Sequence, residues 1–257
     1  MTNIRRALEA AAGVGGDPVY VEDVFSTDVY DGTGGSPGLT ITNGVNLADE
    51  GGLVWLKSRS HAVSHALFDT ERGSNNNLQC DNNAAEGSLA MNIYGTDAFN
   101  TDGFGLLSAN GTIEASGYTY GSWTFRKAPG FFDVQTYTGD GLNQTISHNL
   151  GSTPGFVIVK PVSATGNWSC WSNSIGDTNY ILLNSTAAKG ASGATRTVNS
   201  TTYEIFGTWA DEGTDTVDYV MYLFASDDQR FGADSDESII KCGGFTTTAT
   251  WGNYKVD

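Results

Sequence analysis

Shifted by 103 positions, the chain lies on itself. Residues 47–85 meet residues 150–188 without a gap (150 − 47 = 103), and Leu47/Leu150, Gly52/Gly155, Val54/Val157, Lys57/Lys160, Ser60/Ser163, Gly73/Gly176, Asn76/Asn179, Ala84/Ala187 and Ala85/Ala188 are identical. The apolar pattern agrees too, with Gly-Leu-Val-Trp-Leu-Lys at 52–57 facing Gly-Phe-Val-Ile-Val-Lys at 155–160. A second block, shifted by 99 (198 − 99 = 99), sets residues 99–125 on 198–224 and matches Asn100/Asn199, Tyr120/Tyr219 and Phe125/Phe224. Tyr30-Asp31-Gly32 likewise corresponds to Tyr137-Thr138-Gly139. Self-similarity at one long period points to two copies of a unit of about 105 residues. They join near Lys127-Ala128-Pro129-Gly130. A third copy begins at Ile239-Ile240-Lys241-Cys242-Gly243-Gly244-Phe245-Thr246, which is similar to the opening of the second, Phe132 to Thr138. Two readings of residues 238–257 follow: the start of a further unit, which we favour, or a strand added to a neighbour.

The unit is β. Short runs rich in Val, Ile, Tyr, Trp and Thr, such as 53–57, 118–125, 156–160, 180–183 and 219–224, are broken by Gly, Asn, Asp and Ser. Asp31-Gly32, Asn43-Gly44, Asp102-Gly103, Asn110-Gly111 and Asp140-Gly141 supply turn pairs that tolerate a left-handed backbone. Bulky residues alternate only partly in 118–125, which suits a strand covered on both faces. Many short strands without interleaved helices predict tandem β-sandwich or jelly-roll-like units. Only residues 2–12 carry a helical pattern, with Thr2 or Asn3 as N-cap, Ile4 and Leu8 on one face and Gly13 as the stop. A helix this short needs a surface to dock on. The expected division is a helical anchor and linker at 1–16, β units at 17–128 and 129–237, and the ambiguous segment at 238–257.

Charge and composition exclude several classes. Lys+Arg total 13 and Asp+Glu 29, a net charge of −16, which disfavours nucleic acid because no basic stripe is present to release counterions. No apolar run is long enough for a membrane helix. Aromatic residues make up 11% and charged residues only 16%, which argues for a packed core against disorder. Cys80, Cys170 and Cys242 are odd in number and form no CxxC pair, so they read as small buried hydrophobes.

Four phrases carry a resemblance. Residues 50–59 (EGGLVWLKSR), 67–73 (LFDTERG), 123–134 (WTFRKAPGFFDV) and 148–155 (HNLGSTPG) resemble a repeat of virion proteins of tailed phages, especially marine phages of cyanobacteria, and the opening MTNIRRAL resembles the start of such proteins. The resemblance covers nearly the whole chain and implies a non-enzymatic structural protein without cofactor, assembled in the bacterial host cytoplasm and residing in the virion. A tail fibre or tail-associated appendage is the expected part; a capsid decoration protein or a host-glycan-binding module is the alternative. The N-terminal helix would grip another virion protein through Ile4 and Leu8, with Arg5 and Arg6 meeting an acidic surface. Homo-oligomerisation would multiply a weak helix contact. The second copy lacks the Phe-Asp-Thr-Glu-Arg-Gly phrase of the first.

The individual candidates are few. Asp69 and Glu71 sit two apart, so on a strand they share a face, as a carboxylate pair for glycoside hydrolysis would. A salt link to Arg72 or Arg59 is the preferred reading. His61 and His65 stand four apart but in a loop, without the glutamate of a zinc-protease helix, and His148 sits in a turn beside Asn149, so all three read as solvated or turn-satisfied. The acidic loops at Asp211-Glu212 with Asp215 and Asp218, at Asp227-Asp228 and at 234–237 miss EF-hand spacing and read as surface charge. Trp55 and Trp123 fall in strands and read as core. Trp168, Trp171 and Trp209 fall near loops and are the candidates for glycan contact. The sequons at Asn110, Asn143, Asn167, Asn184 and Asn199 read as turn residues.

Overall fold

A computed structural model describes residues 18–36, 38–91 and 98–245. The chain is all-β in several antiparallel sheets, with one helical turn, α1 (Val21–Val24), that the sequence pattern did not indicate. The Tyr20 amide donates to Asp23 Oδ2 at 2.9 Å and closes that turn, and Val24 plugs into the core below it. The proposed anchor helix with Ile4, Arg5, Arg6 and Leu8 lies outside the described residues.

The first half contributes β1 (Phe25–Asp31), β2 (Leu39–Thr42), β3 (Gly52–Ser58), β4 (Ala66–Asp69), β5 (Phe99–Asn100), β6 (Gly103–Leu106) and β7 (Thr119–Arg126). They form a four-stranded sheet in the order β1-β7-β3-β4 and a three-stranded one in the order β2-β6-β5. The second half contributes β8 (Phe132–Thr138), β9 (Gln144–Ser147), β10 (Phe156–Pro161), β11 (Ser169–Ser172), β12 (Asn179–Leu182), β13 (Gly190–Ala191), β14 (Thr202–Ile205) and β15 (Asp218–Phe224). Its sheets run β13-β12-β11-β10-β15-β8 and β14-β9. Residues 127–131 carry the chain from one half to the other. The described end, residues 238–245, forms no strand; it is tied down where Asp227 N donates to Ile240 O at 2.8 Å and Cys242 N to Ser226 Oγ at 3.0 Å.

Alternation along the central strands shows how the sheets stack. Val54 and Leu56 of β3 pack with Ile41, Phe104 and Leu106 of the three-stranded sheet. Leu53 and Trp55, on the opposite face, pack with Ile158, Tyr222 and Phe132 of the six-stranded sheet. On β10, Val157 and Val159 turn the other way, against Tyr203 and Ile205 of β14. Four layers result, and the two large sheets sit in the middle, with their central strands β3, β10, β11 and β15 buried on both faces. Each fully buried Val, Leu or Phe stabilises this stack by roughly 1.5–3 kcal/mol.

Like contacts recur in the two halves. Tyr30 stacks on Tyr120 at 5.0 Å and 14°; Tyr137 stacks on Tyr219 at 5.1 Å and 11°. Tyr120 Oη donates to Gly111 O at 2.8 Å and accepts from Ala115 N at 2.9 Å. Tyr219 Oη donates to Ala210 O at 3.0 Å and accepts from Thr214 N at 2.9 Å. Tyr30 Oη reaches Ile113 O and Tyr137 Oη reaches Glu212 O, both at 2.7 Å. Gly52 and Gly155 each open a central strand where a side chain has no room: a Cβ would lie 2.1 Å from Phe125 O in one and 2.4 Å from Ser226 Cβ in the other.

Candidate functional site

The seam between the two large sheets holds the densest polar cluster. Asp69, at the end of β4, is fully buried, and its Oδ2 accepts from Tyr222 Oη of β15 and from Arg72 Nε, each at 2.7 Å. The tight turn after β4 lets the Arg72 amide donate to Asp69 Oδ1 at 2.9 Å, which folds the guanidinium back over the strand end. Arg72 also bonds Glu86 at 2.6 Å and Tyr222 Oη at 3.3 Å. Burial, with Asp69 beside it, holds the Tyr222 phenol well above its ordinary pKa, so it stays a donor. Backbone bonds flank the cluster: Glu86 N to Val162 O and Gly166 N to Asn83 O, both 2.9 Å. The cluster therefore cross-links the halves.

The carboxylate pair of the sequence diverges. Asp69 faces the seam, whereas Glu71 turns outward to Lys127 Nζ at 2.7 Å. The histidines do not converge either. His65 Nδ1 accepts from Trp55 Nε1 at 2.9 Å, His61 stacks on Tyr118 at 3.4 Å, and buried His148 contacts Asn199 O at 3.2 Å. Burial lowers the pKa of both His65 and His148. Among the described residues no group of three or more His, Cys, Asp or Glu gathers as metal ligands. All three cysteines are free, with Cys80 and Cys170 buried.

The tryptophan assignments reverse. Trp168 and Trp171 are buried, so neither offers a ring face to a glycan. Trp168 donates Nε1 to Gln79 O at 3.1 Å across the seam, and Trp171 packs edge-on against Tyr203 at 5.9 Å. Both flank or sit in β11, an interior strand covered by cores on both faces. Trp209 is half-buried and meets Tyr180 edge-to-face at 4.2 Å. Trp123, expected in the core, is instead 37% exposed beside Trp55 at 6.1 Å. It lies near Val29, 70% exposed, at the end of the four-stranded sheet that the second sheet leaves uncovered.

The sequence also hid a buried ion pair. Glu212, expected as surface charge, is buried, and Arg196 grips it at 2.9 and 3.1 Å while Ser169 Oγ donates at 2.9 Å. The Arg196 guanidinium lies 4.6 Å from the Tyr203 ring and 4.5 Å from that of Phe206. An arginine alone in a Ser-, Thr- and Gly-rich stretch was the available signal. Lys160 is fully buried too; its Nζ donates to Pro161 O at 2.6 Å, and desolvation pulls its pKa down to about 8.

Two hollows open on the seam. A polar one of about 430 Å³ is lined by Arg72, Asn76 and Glu86 from the first half and by Thr136, Thr138 and Asp218 from the second. Thr138 Oγ1 donates to Asp218 at 2.7 Å, so those groups are engaged with each other. The other, of about 680 Å³, is mostly apolar and is lined by Trp55, Phe156, Ile158, Ile181, Leu183, Phe224 and the segment 240–245. Its residues come from five separate stretches of chain, so no local motif announced it.

The fold and its buried cross-links define a layered antiparallel β protein whose halves share a core. The profile of a family described as "Domain of unknown function (DUF7483)" matches residues 21–235, and the chain belongs to that family. No match is found among curated proteins or among solved structures. Among the described residues no helix is long and apolar enough to cross a membrane.

Proposed function

We propose that the protein is a non-enzymatic structural component of a tailed-phage virion, in a tail fibre or tail-associated appendage. The observation that carries the reading is the use made of its reactive side chains. Asp69, Arg72, Glu86 and Tyr222 bind one another across the seam, and Arg196 and Glu212 do the same within the second half. Such buried, hydrogen-bonded networks fix a single packing. The phrases at 50–59, 67–73, 123–134 and 148–155 supply the virion part of the proposal.

The finer architecture belongs to the same proposal: two copies of one β-sandwich unit, stacked back to back. The recurring strand orders β1-β7-β3-β4 and β8-β15-β10-β11, and the paired tyrosine clamps, support it. An N-terminal anchor through Ile4, Arg5, Arg6 and Leu8, and assembly into a homo-oligomer, complete it. A cryo-EM reconstruction of the particle tests it: density for the chain on the tail is expected, density on the shell favours capsid decoration, and absence from the particle overturns the virion reading. One observation favours a glycan-binding role as the second reading, the exposed Trp123 ring beside Trp55. Absence of binding to host polysaccharide by the full chain removes it; binding that Trp123→Ala weakens supports it.

A further inference from the structure

The six-stranded sheet is wider than the four-stranded sheet stacked on it, and β12 extends past the cover. The core between them therefore opens at one side into the apolar cavity of about 680 Å³. It is lined by Phe156, Phe224, Ile181 and Leu183 from the six-stranded sheet and its edge, by Trp55 from the four-stranded sheet, and by the segment 240–245. Apolar side chains also stand at the mouth: Leu183 is 42% and Phe245 64% exposed. This size lies within the roughly 300–1,000 Å³ of small-ligand pockets.

The charge at the rim is opposite to that of the chain. Acidic residues outnumber basic ones 29 to 13, yet among the described residues no carboxylate lines this cavity, and the charged lining residue among them is exposed Lys241. Two hydroxyls also line the cavity: the Ser172 and Ser174 Oγ atoms lie 2.9 Å apart, and Ser174 abuts Gly244 of the closing segment. The lining thus combines a mostly apolar surface with one lysine and two hydroxyls. We propose that it binds a free fatty acid of about twelve carbons or more, with the chain against Phe156, Phe224 and Ile181 and the carboxylate at Lys241.

The test is displacement of the neutral probe N-phenyl-1-naphthylamine from the full chain by dodecanoate and by dodecanol, below their micellar concentrations. Dodecanoate is expected to bind roughly tenfold tighter than dodecanol, as one charge-assisted contact would give. Lys241→Glu should erase that difference while dodecanol binding stays. Leu183→Asp, at an exposed position that leaves thermal unfolding in place, should weaken both. Failure of dodecanoate to displace the probe, equal affinity for the alcohol, or indifference to Lys241→Glu overturns the proposal. So does a concentration-dependent dimer that Leu183→Asp abolishes in a chain that does not bind dodecanoate.

Discussion

The loop before β7 in the first half and the loop before β15 in the second each close over a buried glutamate, and they do it with different chemistry. In the first half Glu114 is held by neutral donors: the Thr33 hydroxyl, Thr33 N at 3.3 Å and Ser108 N at 3.2 Å. In the second half Glu212, one position earlier relative to the tyrosine clamp, is held by the Arg196 guanidinium stacked between Tyr203 and Phe206. Neutral donors satisfy a carboxylate without adding a second buried charge. The arginine solution desolvates both ions and makes each hostage to the other. The same scaffold thus carries a tolerant loop and a brittle one, while the seam between the halves carries a third, shared cluster around Asp69.

The largest effects belong to the two buried ion pairs, the one at the seam and the one within the second half. Arg72→Met leaves the Asp69 carboxylate buried with Tyr222 as its main partner, and urea denaturation should show a loss of about 3–5 kcal/mol. Glu212→Gln should cost about 3–5 kcal/mol by stranding Arg196, whereas Glu114→Gln should cost about 1–2 kcal/mol because it loses only charge-assisted bonds. Equal losses in those two variants would break the contrast between the loops.

Lys160 separates the halves again. Its identical counterpart under the 103-residue shift, Lys57, is only half-buried and donates to Val63 O. The folded-state pKa of Lys160, about 8, lies below its ordinary 10.5. Between those values the unfolded chain binds more protons, so stability rises with pH there; the cost of the buried charge is full below pH 8 and gone above 10.5. Lys160→Met should therefore stabilise the protein at neutral pH by up to about 3 kcal/mol, a gain that shrinks toward pH 10.5. A gain independent of pH would show that packing, not charge, sets the effect. The smallest expected change sharpens the likeness of the halves: Tyr120→Phe and Tyr219→Phe each remove one matching clamp, at about 1–2 kcal/mol apiece. Unequal losses would mean that the two clamps differ in context.

What was legible in the sequence was what local chemistry writes. The β class, the turn pairs at Asn43-Gly44 and Asp140-Gly141, whose glycines take positive φ, and the correspondence of Gly52 with Gly155 follow from spacing, because strands and tight turns are decided within a few residues, whereas Gly32 and Gly111 keep ordinary φ. The partial alternation at 118–125 pointed to a strand at least half covered on both faces, and β7 has Tyr120, Ser122 and Thr124 buried on one face while Trp123 on the other is 37% exposed. What was illegible depends on stacking. Nothing near Trp168 or Trp123 says which sheet end will be covered, so the buried and exposed indoles were exchanged. Asp69 and Tyr222 are 153 residues apart. No alternation or spacing rule links partners across two sheets. The apolar cavity escaped for the same reason, since it is the mismatch in width between a four- and a six-stranded sheet.

The welding of the halves by one core is best tested by scanning calorimetry of the full chain. A single transition with equal calorimetric and van't Hoff enthalpies is predicted, since residues of β3 and β4 share their burial with β8, β10 and β15. Two resolved transitions, each with the enthalpy of about half the chain, would contradict it and leave the seam a mere contact between independent units.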